Sequence, residues 1–112
     1  MIRVLLVDDS PVMRLYVSRA LKMIGLEITV YEAENGRDAI GQALRIQPDI
    51  IITDLNMPEM SGEELVRRVH ANRQLRGTRV LVLSADRSAG RSDELMEAGA
   101  TAYLTKPVTP RR

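Results

Sequence analysis

The sequence has no cysteine, and its single histidine, His70, is far in sequence from Asp8, Asp9 and Asp54. The first absence excludes disulfides and thiolate metal sites and fits a reducing compartment, so a cytoplasmic location is expected. His70 reads as a surface residue. No apolar stretch approaches the ~20 residues a membrane-spanning helix needs, and the N-terminus has the pattern of a core strand. No membrane partner is expected. Charge is balanced, with 16 Lys and Arg against 15 Asp and Glu, which leaves no basic field to draw in nucleic acid. Neither Gly-x-x-x-x-Gly-Lys-Ser/Thr nor Gly-x-Gly-x-x-Gly occurs, so no loop is built to hold a nucleotide. Repeats and low-complexity tracts are missing as well, and 112 residues suit one domain.

What is present is a series of short apolar runs that end on polar groups. Ile50-Ile51-Ile52-Thr53 has no polar alternation, as in a central parallel strand buried on both faces, and it stops on Asp54. Val4-Leu5-Leu6-Val7 stops on Asp8 and Asp9, Val80-Leu81-Val82-Leu83 on Ser84, and Tyr103-Leu104-Thr105 on Lys106. If the strands lie side by side, three carboxylates, a hydroxyl and an ammonium meet at one edge. An all-oxygen cluster suits a hard cation such as Mg²⁺.

Helix signals fall between the runs. Ser10-Pro11 reads as a cap and first turn, with Met13, Val17, Ala20, Leu21 and Ile24 on one face and Gly25 as the stop. Asn35-Gly36 opens a second helix with Ala39, Ile40, Ala43 and Leu44 inward, closed by Pro48. Ser61 and Glu64 form a capping-box pattern before Leu65, Val66 and Val69. A fourth helix carries Leu95 and Met96 and stops at Gly99, while Ile28 to Ala33 alternates as an edge strand should. Strand and helix alternate throughout, which argues a parallel sheet with crossover helices.

Asp8-Asp9, Asp54, Ser84 and Lys106-Pro107, in this order and spacing, closely resemble the receiver domain of bacterial two-component response regulators, over nearly the whole chain. The resemblance implies a flavodoxin-like, doubly wound parallel sheet of five strands in the order 2-1-3-4-5. It implies phosphorylation of Asp54 by a phosphohistidine on a sensor histidine kinase or phosphotransfer protein. Asp8, Asp9, Asp54 and the carbonyl of Asn56 would serve a Mg²⁺ ion, for which Mn²⁺ can substitute. Lys106, in a cis bond to Pro107, and Ser84 would meet the phosphoryl oxygens, and Ser84 with Tyr103 would form the switch felt by a downstream protein. Asn56 and Asp86 would influence the lifetime of the anhydride.

Two neighbouring chemistries fit less well. A haloacid-dehalogenase phosphatase wants Asp-x-Asp after its first strand, whereas Asp-x-Asn follows the third here, and a flavin binder would not place Asp8-Asp9 where a phosphate must sit. Residues 1–112 are thus expected to be one receiver domain, cut at the start of its last helix: Thr109-Pro110 begins a helix and the sequence ends at Arg112. With the fifth helix largely absent, one sheet face beside helix one would stay open and could pair with a second copy.

Overall fold

The computed structural model describes residues 1–85 and 89–105, the side chain of Ala89 excepted. Five parallel strands, β1 (Ile2–Val7), β2 (Ile28–Ala33), β3 (Ile50–Asp54), β4 (Arg79–Ser84) and β5 (Ala102–Thr105), form one sheet in the order β2-β1-β3-β4-β5. Between them run α1 (Pro11–Lys22), α2 (Gly36–Ile46), α3 (Gly62–Ala71) and α4 (Ala89–Ala98), with a short 3₁₀ turn at Arg73–Leu75. The order is the one the resemblance implied. It makes β1 and β3 neighbours, with Val7 in register with Thr53, so Asp8 and Asp54 leave the sheet side by side.

The caps read from the sequence are formed. Ser10, Asn35 and Ser61 each accept from the third residue on, Met13 N, Asp38 N and Glu64 N respectively. The box at Ser61 is half made, because the Glu64 carboxylate turns outward to Arg68 Nη2 at 2.7 Å while Gly62 N donates to Leu55 O. α1 stops at Lys22 with Met23 as its cap, so Gly25, at φ +90°, lies in the loop beyond, and Ile24 is exposed outside the helix. α2 closes one residue before Pro48, with Gln47 in the left-handed region at φ 54°.

The core lies on the face covered by α2, α3 and α4. Leu5, Ile51, Leu65, Val66, Val82 and Leu95 are fully enclosed there. Of the two apolar residues read on the fourth helix, Leu95 is buried and Met96 is exposed, since a helix of ten residues turns one narrow stripe to the sheet and Leu95 and Ala98 occupy it. The other face carries α1, whose one buried residue is Ser18. Consequently β3 is not buried equally on both faces: Ile51 and Thr53 are enclosed, whereas Ile50 and Ile52 are half-buried. Among the described residues, Tyr16, Val17, Leu21, Leu81, Leu83 and Leu104 border an apolar groove of about 290 Å³ on the α1 side. The expected fifth helix and the Lys106-Pro107 bond fall at 106–112, outside the described residues. No described helix is long and apolar enough to cross a membrane.

Candidate functional site

The C-terminal ends of β1 and β3 bring Asp8, Asp9 and Asp54 together. One carboxylate oxygen from each lies within 4.8 Å of the other two. Their surroundings differ: Asp8 is nearly enclosed, Asp54 half-buried and Asp9 exposed. The donor set is oxygen alone, it faces solvent on one side, and it concentrates negative charge that a divalent cation would neutralise, so it fits Mg²⁺ or Mn²⁺.

Local hydrogen bonds set the geometry. Asp8 Oδ1 accepts from Ser10 N at 2.9 Å, which turns the chain into α1, and Asp54 Oδ1 accepts from Leu55 N at 2.9 Å. Thr53, fully buried, donates its hydroxyl to Asp54 O at 2.9 Å. Beneath Asp8 and Asp54 is a cavity of about 10 Å³, room for roughly one water. No buried side-chain polar atom among the described residues lacks a partner.

Ser84 ends β4 and is fully buried. Its predecessor Leu83 is in register with Asp54, so the hydroxyl and the carboxylate stand at the same end of adjacent strands. Tyr103, in register with Val82, is half-buried against the core. Because Val82 and Ser84 alternate onto one face, Tyr103 shares that face with Ser84. Asn56 is exposed in the loop after β3. Lys106, Pro107 and Asp86 lie outside the described residues.

Three supporting residues escaped the sequence reading. Arg14 donates from Nη1 to Asp8 O at 2.6 Å and from Nε to Glu32 Oε1 at 2.7 Å, clamping the β1 end to β2. Its signal was a cation in the first turns of a helix, where the dipole disfavours one. Gly62 permits close backbone approach: a Cβ there would collide with Asp54 O and lie 2.8 Å from Leu55 Cα. Glu59, at φ 70°, sits in a tight turn closed by Met60 N to Pro58 O at 2.7 Å. Nothing in the residue type of Glu59 forecasts that conformation.

Comparison with known proteins agrees with this geometry. A family model, the response regulator receiver domain, matches residues 4–112. The chain is 33% identical over 110 residues to chemotaxis protein CheY of Thermotoga maritima, covering 98% of this chain and 89% of that one. It is 38% identical over 107 residues to a protein-glutamate methylesterase/protein-glutamine glutaminase of Archaeoglobus fulgidus, covering 94% of this chain but 30% of that protein. Among solved structures, chemotaxis response regulator CheY4 of Vibrio cholerae superimposes with a TM-score of 0.86 at 39% identity, covering 98% of this chain and 90% of that one.

Proposed function

The chain belongs to the response regulator receiver domain family, and on that premise we propose that it is a phosphoacceptor that takes a phosphoryl group from a phosphohistidine onto Asp54. The observation that carries the reading is the meeting of Asp8, Asp9 and Asp54 at the ends of β1 and β3. An oxygen of the ionised Asp54 carboxylate attacks phosphorus, the donor's phosphorus–nitrogen bond breaks, and the bonding pair leaves with the imidazole. The product is a mixed carboxylic-phosphoric anhydride. Asp8, Asp9, Asp54 and the Asn56 carbonyl would hold Mg²⁺, or Mn²⁺ in its place. When bound, the metal neutralises the clustered carboxylates and one phosphoryl oxygen.

The remaining work falls to the chain itself. The Leu55 N–H holds the Asp54 carboxylate in one orientation. Ser84 and Lys106 are assigned to the other phosphoryl oxygens, so that each developing charge has a partner. Movement of the Ser84 hydroxyl toward the phosphoryl group opens space for the Tyr103 ring, and the exposed side of α4 and β5 changes with it. This is a population shift between two arrangements, biased by one local charge event. The donor is a sensor histidine kinase or phosphotransfer protein, the receiver of the signal is a second protein, and the compartment is the cytoplasm. No reaction other than gain and loss of its own phosphoryl group, the latter influenced by Asn56 and Asp86, is assigned to the chain.

Acetyl phosphate with Mg²⁺ tests the reading. Wild type should gain the mass of one phosphoryl group and Asp54→Asn none; equal labelling of the variant would refute the assignment.

The apolar groove on the α1 side supports a second, compatible reading, in which two copies associate through that face. Leu104 is half-exposed at its border, and Val12 and Leu15 are exposed on α1. Light scattering across a concentration series should give a dimer that Leu104→Glu dissociates. A strictly monomeric wild type would remove this reading and leave the first intact.

A further inference from the structure

The opposite pole of the molecule carries a second set of features that phosphoryl chemistry does not use. β4 runs from Arg79 to Ser84, so its first residue lies about 16 Å from the phosphoryl end at ~3.3 Å per residue. Around that start, between α3, the 3₁₀ turn and the loop before β5, is a groove of about 270 Å³. Val69, Leu75 and Val80 form its floor, and His70, Arg76 and Thr78 its rim. The His70 ring lies against the backbone of Gly99, where a Cβ would come within 2.7 Å of the ring and any side chain would displace it. Thr78 spends its hydroxyl proton on Pro48 O at 2.8 Å, which leaves lone pairs but no donor on that side.

Charge is distributed unevenly about the groove. From residue 65 to residue 85 the sequence holds five arginines and no acidic residue. Arg67 and Arg68 are engaged by Glu63 and Glu64 one turn earlier. Arg73, Arg76 and Arg79 are exposed and form no ion pair among the described residues. Of these three, Arg76 lines the groove, and Arg73 and Arg79 lie three residues to either side of it in the chain, at the 3₁₀ turn and the start of β4.

The geometry points to a docking site for an acidic peptide segment that carries one aliphatic anchor, held by Arg76 on the rim, with Arg73 and Arg79 in the flanking turn and strand to meet its further charges. Charge complementarity selects the acidic partner, and the apolar floor selects the anchor. The volume is just under the ~300 Å³ at which cofactor-sized pockets begin, which suits a side chain with its flanking backbone. Nucleic acid fits the site poorly. Single strands are held by stacking of successive bases on aromatic rings; the arginine-bearing segment offers one ring, His70, packed against Gly99, while the three tyrosines, at 16, 31 and 103, lie outside it. An anionic membrane fits poorly too, since no exposed large hydrophobic residue lies between 65 and 85 to enter it.

The test is an amide-shift titration of the full chain at low salt with the capped pentapeptide Asp-Glu-Leu-Asp-Glu. Amides of Val69, His70, Leu75, Arg76 and Gly99 should move, and those of Asp8, Asp9 and Asp54 should not. Arg76→Glu should weaken binding tenfold or more, Arg73→Glu and Arg79→Glu several-fold, and Arg76→Lys should restore part of the loss. All three side chains replaced are exposed, and unchanged circular dichroism and unchanged labelling by acetyl phosphate would show each variant folded. A peptide with Ser in place of Leu should bind at least fivefold more weakly. The proposal is overturned if the groove amides do not shift, if Arg76→Glu binds like wild type, if the Ser peptide binds as well as the Leu peptide, or if an oligothymidylate displaces the peptide from these residues at lower concentration.

Discussion

Met60 rests on Gly36. A Cβ added at Gly36 would stand 2.6 Å from Met60 Sδ and 2.9 Å from its Cβ and Cγ, so the loop after β3 is keyed to the first turn of α2 through a missing side chain. This contact fixes the strand-to-helix connection that begins at the proposed phosphorylation site.

Gly36→Ala is therefore expected to destabilise the protein by about 1–3 kcal/mol, the usual range for forcing extra volume into a packed contact, tempered by the flexibility of a methionine. Met60→Ala alone should cost a similar amount through the cavity it leaves. The double variant should recover part of the sum, because each change removes the clash or void made by the other. Urea denaturation of the four proteins measures the coupling; strict additivity would show that the two residues do not act as a pair.

Two non-glycine residues hold left-handed backbone, Gln47 at φ 54° and Glu59 at φ 70°. For an L-residue that conformation costs roughly 1–2 kcal/mol. A glycine relieves the cost but gives back about 0.4–1 kcal/mol through the extra freedom of the unfolded chain. Gln47→Gly, at the C-cap of α2, and Glu59→Gly should each stabilise by ~0.5 kcal/mol. Glu59→Val should destabilise, since a β-branched side chain tolerates the region worst. Thermal melts distinguish these outcomes by the sign of the shift.

Most of the fold could be read from residue types, because strand ends, caps and helix faces are local signals. Ser10, Asn35 and Ser61 cap as their side chains forecast, and the strand order is the one the resemblance implied. What escaped is non-local. Gly36 and Gly62 are small because of atoms elsewhere in the chain, Met60 and the Asp54–Leu55 backbone. Arg14 earns its place through Asp8 O and Glu32, 6 and 18 residues away. Met96 and Ile24 satisfied helical periodicity and are nevertheless exposed, because periodicity gives a helix face but neither its width nor its last turn. Three isoleucines in a row forecast burial on both faces of β3, yet the described elements cover one face fully and the other in part.

A cross-helix charge cluster joins α3 to α4. Arg91 Nη1 lies 2.9 Å from Glu63 Oε1 and 2.8 Å from Glu94 Oε1, and Arg67 Nη2 lies 2.9 Å from Glu63 Oε2. The hydrogen bond from Arg67, with the charge and hydrogen bond of Arg91, holds the Glu63 carboxyl below the usual carboxylate range despite the opposing effect of burial. A depressed folded-state value means a stabilising contribution that is fully present above the unfolded value of about 4.3 and is lost as pH falls through the folded one. Glu63→Gln should flatten the acid limb of the stability profile and leave stability at pH 7 lower. A double-mutant cycle of Glu63→Gln with Arg91→Gln should give a coupling of about 0.2–1 kcal/mol, shrinking in high salt. A coupling of zero at low salt would mean that the pair does not tie α4 in solution.

The last prediction separates charge repulsion from metal binding at the acidic cluster. Three carboxylates with oxygens within 4.8 Å repel one another, and that repulsion acts against the folded state. Without divalent metal, Asp9→Ala should therefore stabilise the protein, by up to about 1 kcal/mol for an exposed charge. Asp8 needs a gentler change, because its Oδ1 accepts from Ser10 N at the entry to α1; Asp8→Asn keeps an oxygen acceptor there. Added Mg²⁺ should reverse the ranking. A ligand at a hundred times its dissociation constant stabilises by about 2.7 kcal/mol, so the wild type should gain most, Asp8→Asn less, and Asp9→Ala nothing. Thermal melts across a Mg²⁺ series, repeated with Mn²⁺, read both effects in one experiment. If Asp9→Ala is less stable than wild type without metal and gains as much from Mg²⁺, then the cluster is held by other contacts and is not a metal site.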